Sequence, residues 1–245
     1  MNNVQVVILA AGKGTRMGHP ELPKVLVELN GRSLISHLLI EVDKLGLELP
    51  AVIVVGFKAD LVKQHLGDKY LYIEQKEQLG TAHAVAVAKD YVTTDNVLVL
   101  YGDMPLIKVE SLRRLIKYHL DTKSKFTMFT ADVKSFEEPY HIFSNFARII
   151  REKGYIVKIT ELAHLTDAEK TITEVNPGIY IFNTQWLWKN IDSALNNSHP
   201  EKYLTDLVAT AVRQEVKINT LEIKPEEIFG INTLRDLQQA EQFVE

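Results

Sequence analysis

The chain has 245 residues, no cysteine, and 28 basic against 32 acidic side chains, for a formal net charge of −4. That excludes a disulfide scaffold, a thiolate zinc site and a cysteine nucleophile, and it argues against a nucleic-acid partner, which wants a basic field. No run approaches the ~18 apolar residues of a membrane helix, and the opening MNNVQVVILAAG lacks the basic start of a signal peptide, so a cytoplasmic protein with no membrane insertion is expected.

Short runs rich in Val, Ile and Leu predict buried strands over 4–10, 51–55, 71–74 and 97–101. Amphipathic runs predict helices over 33–45, 59–66, 81–92 and 110–120. In the first of these, Leu34, Ile35, Leu38, Leu39, Val42 and Leu45 share one stripe. Strand alternating with helix is the pattern of a parallel sheet covered on both faces. The second half differs. Strands are predicted over 126–133, 147–152 and 155–161, with a hairpin turn at Lys153-Gly154, and over 178–182. Helices over 184–196 and 204–214, strands near 216–223 and 228–231, and a helix over 233–243 complete the chain. Without repeats or linkers, this reads as one α/β domain: a mixed, mostly parallel sheet with a lobe inserted in its C-terminal half.

The loop after the first strand, in VILAAGKGTRMGHPELPKVL, is unusual. In open parallel sheets, ligands bind beyond the carboxyl ends of the strands. There Gly12 and Gly14 give the backbone access to positive φ, consecutive amides can form an anion nest, and Lys13, Arg16 and Lys24 supply cations. Pro20 and Pro23 stiffen the far side. The spacing Gly12-x-Gly14-x-x-x-Gly18 fits neither the dinucleotide fingerprint nor a Walker loop. A plain glycine-rich turn is the other reading; three cations in an acidic chain weigh against it.

Three further places carry polar groups at strand ends. Gln75 can donate and accept through one amide, which suits a pyrimidine edge, and Gly80-Thr81 open a helix whose first amides face outward. His83 reads only as a helix residue against the sheet. Asp103, in LYGDMPL, puts a carboxylate directly after a buried strand, where a hard cation such as Mg²⁺ would use it together with phosphate oxygens. Glu161, Asn176 and Asn232 end later segments, and each alone also reads as a cap or a strand-end polar residue.

The motif Leu9-Ala10-Ala11-Gly12-Lys13-Gly14-Thr15-Arg16-Met17 with Leu22-Pro23-Lys24-Val25-Leu26 resembles the signature of the sugar-phosphate nucleotidyltransferases. It is most similar to the pyrophosphorylase domains of bacterial N-acetylglucosamine-1-phosphate uridyltransferases. The resemblance covers nearly all of 1–245 and implies a Rossmann-like, nucleotide-diphospho-sugar transferase fold. Residues 1–125 would form the nucleotide-binding half, and 126–245 a sugar-binding β lobe with a C-terminal return. It implies Mg-dependent transfer from an NTP, UTP above others, to a sugar 1-phosphate. Arg16, Lys24 and Asp103 would be catalytic. Leu9, Ala10, Ala11, Gly12, Gly14, Thr15, Gln75, Gly80, Thr81 and Gly102 would bind nucleotide, Ala147, Glu161 and Asn176 would bind sugar, and Asp103 and Asn232 would hold Mg²⁺. Tyr203-Leu204-Thr205-Asp206 matches a further family motif. Two departures fall in the sugar pocket: Ala147 stands where the family has glycine, and Pro177 follows Asn176 where it has threonine or serine. They put the acceptor in question. The chain ends at Glu245 without hexapeptide repeats, so no acetyltransferase domain is expected. A cytidylyltransferase acting on a non-sugar phosphate, and a regulatory module that binds nucleotide sugars without turnover, remain as alternatives.

Overall fold

The computed structural model describes residues 3–18, 21–138, 140–196 and 201–243; Pro20 lies outside them. The first half runs β1 (Val4–Ala10), β2 (Glu28–Leu29), β3 (Arg32–Ser33), α1 (Leu34–Asp43), β4 (Val52–Val55), α2 (Ala59–Leu66), β5 (Leu71–Glu74), α3 (Thr81–Val87), β6 (Asn96–Tyr101) and α4 (Val109–Asp121). The second half holds β7 (Phe126–Asp132), β8 (Ala147–Glu152), β9 (Tyr155–Thr160), α5 (Asp167–Lys170), β10 (Glu174–Asn176), β11 (Tyr180–Asn183), α6 (Thr184–Leu195), α7 (Asp206–Arg213), β12 (Ile218–Glu222) and α8 (Leu234–Ala240).

The main sheet has the order β5-β4-β1-β6-β11-β7-β10-β8-β9, with β12 also paired to β7. Strands β5, β4, β1 and β6 are mutually parallel, β12 is parallel to β7, and β11 runs against both β6 and β7. The lobe is the antiparallel trio β10, β8 and β9, joined to the main sheet where β10 meets β7. This is the mixed, mostly parallel sheet with an appended lobe that the hydrophobic pattern predicts.

All seven residues of β1 are buried. A strand covered on both faces must be apolar at nearly every position. Val4, Val6, Ile8 and Ala10 join one core layer with Ile35 and Leu38 of α1 and Leu112 and Leu115 of α4. Val7 and Leu9 join the other layer, with Ala82 and Val85 of α3, Leu187 and Ile191 of α6, and Leu207 and Val208 of α7. With its sides packed this way, β1 can release its chain only at its carboxyl end, and the glycine loop emerges there.

Three local expectations change. No strand forms at 228–231: Pro225–Ile228 is a 3-10 turn, and irregular chain then delivers Asn232. Proline at the start of that turn fixes φ and removes a donor, which suits a turn better than a ladder. The 81–92 helix stops at Val87 and continues as a 3-10 turn at Lys89–Tyr91. Gly12 does not use its freedom at positive φ; Gly14 (φ 64°) and Gly18 (φ 71°) do. Positive φ at Lys153 (50°) and Gly154 (85°) bears out the predicted hairpin turn.

Candidate active site

The loop from β1 returns along the sheet edge and brings Lys24 under Gly14. A side chain at Gly14 would drive its Cβ into Lys24 Cβ, so only glycine lets the two segments touch. Met17 N–H donates to Gly14 O at 2.9 Å and closes the first turn of the loop. Lys24 is ion-paired with Asp103 and donates to Asn232 Oδ1 at 2.8 Å. Arg16 donates to the same Asn232 oxygen at 3.1 Å. The first loop, the end of β6 and the approach to α8 thus converge on one point.

Backbone bonds hold that point. Gly102 N–H donates to Leu9 O at 2.9 Å, and Ile231 N–H donates to Asp103 O at 3.0 Å. Thr233 caps α8 with a reciprocal box, and Asp236 accepts from the Asn232 and Thr233 amides at 2.8 Å each. Asn232 Nδ2 donates to Gly230 O at 3.1 Å, which turns Oδ1 toward the cations.

Two cavities meet here. One, about 360 Å³, is lined by the β1 end (Leu9, Ala10, Ala11, Gly12), Arg16, Lys24, Gln75, Gly80 and Thr81, with Tyr101, Asp103 and Asn232. The other, about 250 Å³, is lined by Phe146, Ala147, Glu161, Asn176, Pro177 and Tyr203, again with Thr81, Tyr101, Asp103 and Asn232. Asp103 and Asn232 stand at the junction. Gly14, Thr15 and Gly102 line neither cavity: Gly14 backs onto Lys24, Thr15 is exposed, and Gly102 is buried beneath the floor.

The first cavity closes against residues 201–205. Lys202 N–H donates to Leu79 O at 2.7 Å, Ala82 N–H donates to Lys202 O at 2.8 Å, and Leu204 N–H donates to Thr81 Oγ1 at 2.9 Å. Gly80 (φ 112°) permits this approach; a Cβ there would lie 2.5 Å from Lys202 O. Gln75 Nε2 contacts Gly80 O at 3.0 Å and His83 Nδ1 at 3.1 Å. His83 is therefore more than a helix residue against the sheet, and Gln75 keeps only its oxygen for a ligand.

In the second cavity, Glu161 accepts from Thr205 Oγ1 at 2.7 Å. Burial raises its carboxyl above the ordinary value; the Thr205 bond opposes this, and Asp206 and Glu201 add to it. Asn176 is engaged on both sides, donating to Tyr180 OH at 2.6 Å and accepting from Gly178 N–H at 3.0 Å. Burial holds the Tyr101 and Tyr180 hydroxyls neutral. Tyr203 donates to Glu201 at 2.8 Å and is pushed up to about 12, first by burial and then by that carboxylate. The cavity wall at Asn145, Phe146 and Ala147 is fixed from behind by Arg148, which is 2% exposed. Its guanidinium donates to Ser144 O at 3.0 Å and to Phe146 O, and it stacks 4.2 Å from the Phe136 ring centre.

Sequence reading missed Tyr101, Phe146 and Glu201 as lining residues. Tyr101 opens the motif that nominates Asp103, and that adjacency was the available signal. Phe146 adjoins the nominated Ala147 and had the same signal; Glu201 carries none, because contacts across chain folds have no local pattern.

Residues 6–169 match the family described as the MobA-like NTP transferase domain. The chain belongs to that family. It is a nucleotidyltransferase domain. The bifunctional protein GlmU of Clostridioides difficile is 39% identical over 246 residues, covering 99% of this chain and 52% of that protein. The GlmU of Streptococcus equi subsp. zooepidemicus is 38% identical over 240 residues, covering 96% of this chain and 50% of its own length. The chain thus spans about half the length of the curated relatives it matches. A UDP-glucose pyrophosphorylase solved with UDP-glucose shares the fold at a TM-score of 0.79 with 17% identity, over 99% of this chain and 98% of that one. A CMP:2-keto-3-deoxy-manno-octonic acid synthetase solved with CTP does so at 0.70 with 18% identity, over 99% and 98%. Among the described residues, no helix is long and apolar enough to cross a membrane.

Proposed function

We propose that this domain transfers a uridylyl group from UTP to a sugar 1-phosphate, N-acetylglucosamine 1-phosphate or a related hexose phosphate, and releases pyrophosphate. The supporting observation is the shared wall of the two cavities: Asp103 and Asn232, with Lys24 and Arg16, stand where a nucleotide on one side would meet an acceptor on the other.

An acceptor phosphate oxygen attacks the α-phosphorus in line, and the bond to the pyrophosphate oxygen breaks. The nucleophile is already ionised near neutral pH, so no side chain need take a proton. The burden is positioning and relief of repulsion between anions. Lys24 faces the α-phosphate and Arg16 the departing pyrophosphate, with the open amides of the Gly12–Arg16 loop beside it. Gln75 and the Gly80–Thr81 turn hold the base and ribose. Glu161 accepts from acceptor hydroxyls, and the backbone near Ala147 and Asn176 shapes the acceptor side. Residues 1–125 act as the nucleotide half and 126–245 as the acceptor lobe.

The donor set suits a divalent ion. The Asp103 carboxylate and Asn232 Oδ1 already converge on one cation, the Lys24 ammonium. Two hard oxygens, one anionic, match an ion that keeps its other positions for phosphates and water, as Mg²⁺ does. Among the described residues no group of three or more His, Cys, Asp or Glu could form an all-protein cage. Mg²⁺ held by Asp103 and Asn232 would supply charge neutralisation between the two phosphates.

The test is a pyrophosphate-release screen of UTP, CTP, dTTP and GTP against several sugar 1-phosphates and, as non-sugar acceptors, phosphocholine and a polyol phosphate, with and without Mg²⁺. Preference for UTP with a hexose 1-phosphate is expected. Turnover only with CTP and a non-sugar phosphate overturns the reading, as does tight nucleotide-sugar binding without turnover.

A further inference from the structure

We propose that His83, acting with Gly80 O, holds the Gln75 amide with its oxygen toward the nucleotide base, and so acts as a positioning residue for base choice; this rests on reading the larger of the two cavities as the nucleotide pocket. Gln75 is 3% exposed and lines that cavity. Its Nε2 lies 3.0 Å from Gly80 O and 3.1 Å from His83 Nδ1. A backbone carbonyl only accepts, so the amide atom beside Gly80 O must be the nitrogen; turned over, the amide would set two oxygens against each other. The second N–H then meets His83 Nδ1, which accepts when the imidazole carries its proton on Nε2. Both hydrogens of the amide are spent inside the protein.

Gln75 Oε1 is what remains. Among the described residues, only Arg148 Nε and Thr184 Oγ1 are sealed from solvent without a partner, so Oε1 opens onto the cavity. A fixed acceptor discriminates between pyrimidines. Uracil carries N3–H, whereas cytosine has a bare lone pair at N3. An acceptor facing an acceptor loses its water and gains no bond. Gly80 O supplies one of the two restraints on the amide and His83 the other. With only one left, the amide turns more freely and can offer N–H to the base.

The experiment compares kcat/KM for UTP and for CTP with one sugar 1-phosphate, in wild type, His83→Phe and His83→Asn, together with equilibrium binding of UDP and CDP. His83→Phe keeps a planar ring and removes the acceptor; the UTP-over-CTP ratio is expected to fall about tenfold, the scale of one hydrogen bond. His83→Asn sets an amide oxygen near the Nδ1 position and is expected to hold the ratio within about threefold of wild type. If His83→Phe does not fold, His83→Leu carries the same comparison, since it too removes the acceptor. An unchanged ratio, or equal losses on both nucleotides without rescue by asparagine, overturns the positioning role. A wild type with no preference for UTP in turnover or binding overturns the nucleotide reading instead; wild type alone decides that question, and the variants decide the role of His83.

Discussion

Lys24 reaches 208 residues along the chain to donate to Asn232 Oδ1 at 2.8 Å. The same ammonium is paired with Asp103. Lys24 and a divalent ion would therefore compete for the same two oxygens until a nucleotide draws the lysine to its phosphates. Removing the competitor frees the Asp103 carboxylate, leaves Asn232 Oδ1 with the Arg16 bond alone and deletes a repelling charge. Lys24→Met should tighten Mn²⁺ binding to the nucleotide-free protein, read by electron paramagnetic resonance, while turnover falls. Weaker Mn²⁺ binding in this variant would show that Lys24 organises the oxygens rather than occupying them.

Arg16→Ala and Asp103→Ala should each lower turnover by about 10² or more, as loss of a preorganised charge partner does. They should share a second property. Arg16 is exposed and can be lost without harm to the fold, and Asp103 accepts from Ile231 N–H through its backbone, which the substitution leaves in place. Both variants should therefore unfold near the wild-type temperature. Wild-type rates of pyrophosphate release in either would sink the assignment.

Much of this was legible in the sequence, for identifiable reasons. The seven buried residues of β1 read as a doubly covered strand because all but Gln5 are apolar. Asp103 read as a site residue because it closely follows another such strand. The Asn30-Gly31 hairpin between β2 and β3, with φ of 50° and 75°, carries an Asn-Gly signal that the strand pattern around it was too short to support. Ile228–Ile231 looked like a strand because its residues are apolar; they are buried in irregular chain that positions Asn232. The sequence offered His83 only as a helix residue against the sheet, and the geometry alone shows that it takes up one of the Gln75 amide hydrogens.

Arg148 should control the acceptor cavity without touching what binds there. Its guanidinium holds the carbonyls of Ser144 and Phe146, directly behind the Phe146–Ala147 wall. Arg148→Leu leaves those carbonyls unpaired, at about 1–3 kcal/mol each if they stay buried. The expected result is a lower unfolding temperature and a raised KM for the sugar phosphate, with KM for the nucleotide little changed. Equal rises in both would place the effect on the whole domain.

Gly80→Ala should damage the other cavity. At φ 112° an alanine is strained, and its Cβ would fall 2.5 Å from Lys202 O and 2.6 Å from Lys202 N. Those are backbone atoms and cannot swing aside. Strain of this kind costs about 1–3 kcal/mol. Either the 201–205 segment parts from α3 or the whole domain loses stability. Calorimetry should show a lower unfolding temperature, and nucleotide affinity should fall more than acceptor affinity. An unperturbed Gly80→Ala would mean that the two segments do not approach as described.

Glu161 offers a pH test whose sign is fixed. Burial, with Asp206 and Glu201 nearby, raises its carboxyl above the ordinary 4.5 despite the Thr205 bond. The folded protein thus holds this proton more tightly than the unfolded chain does. That contribution to stability is complete below 4.5 and is lost as pH rises through the folded value. Above it the charged carboxylate is a standing cost in the ligand-free domain. Glu161→Gln keeps an acceptor for Thr205 and never ionises. Its unfolding temperature should match wild type near pH 4, exceed it as pH rises through the folded value and keep a constant margin above that, while its KM for the sugar phosphate rises. A stabilisation that is the same at every pH would mean that the carboxyl does not titrate differently in the two states, and the buried acceptor role would lose its physical basis.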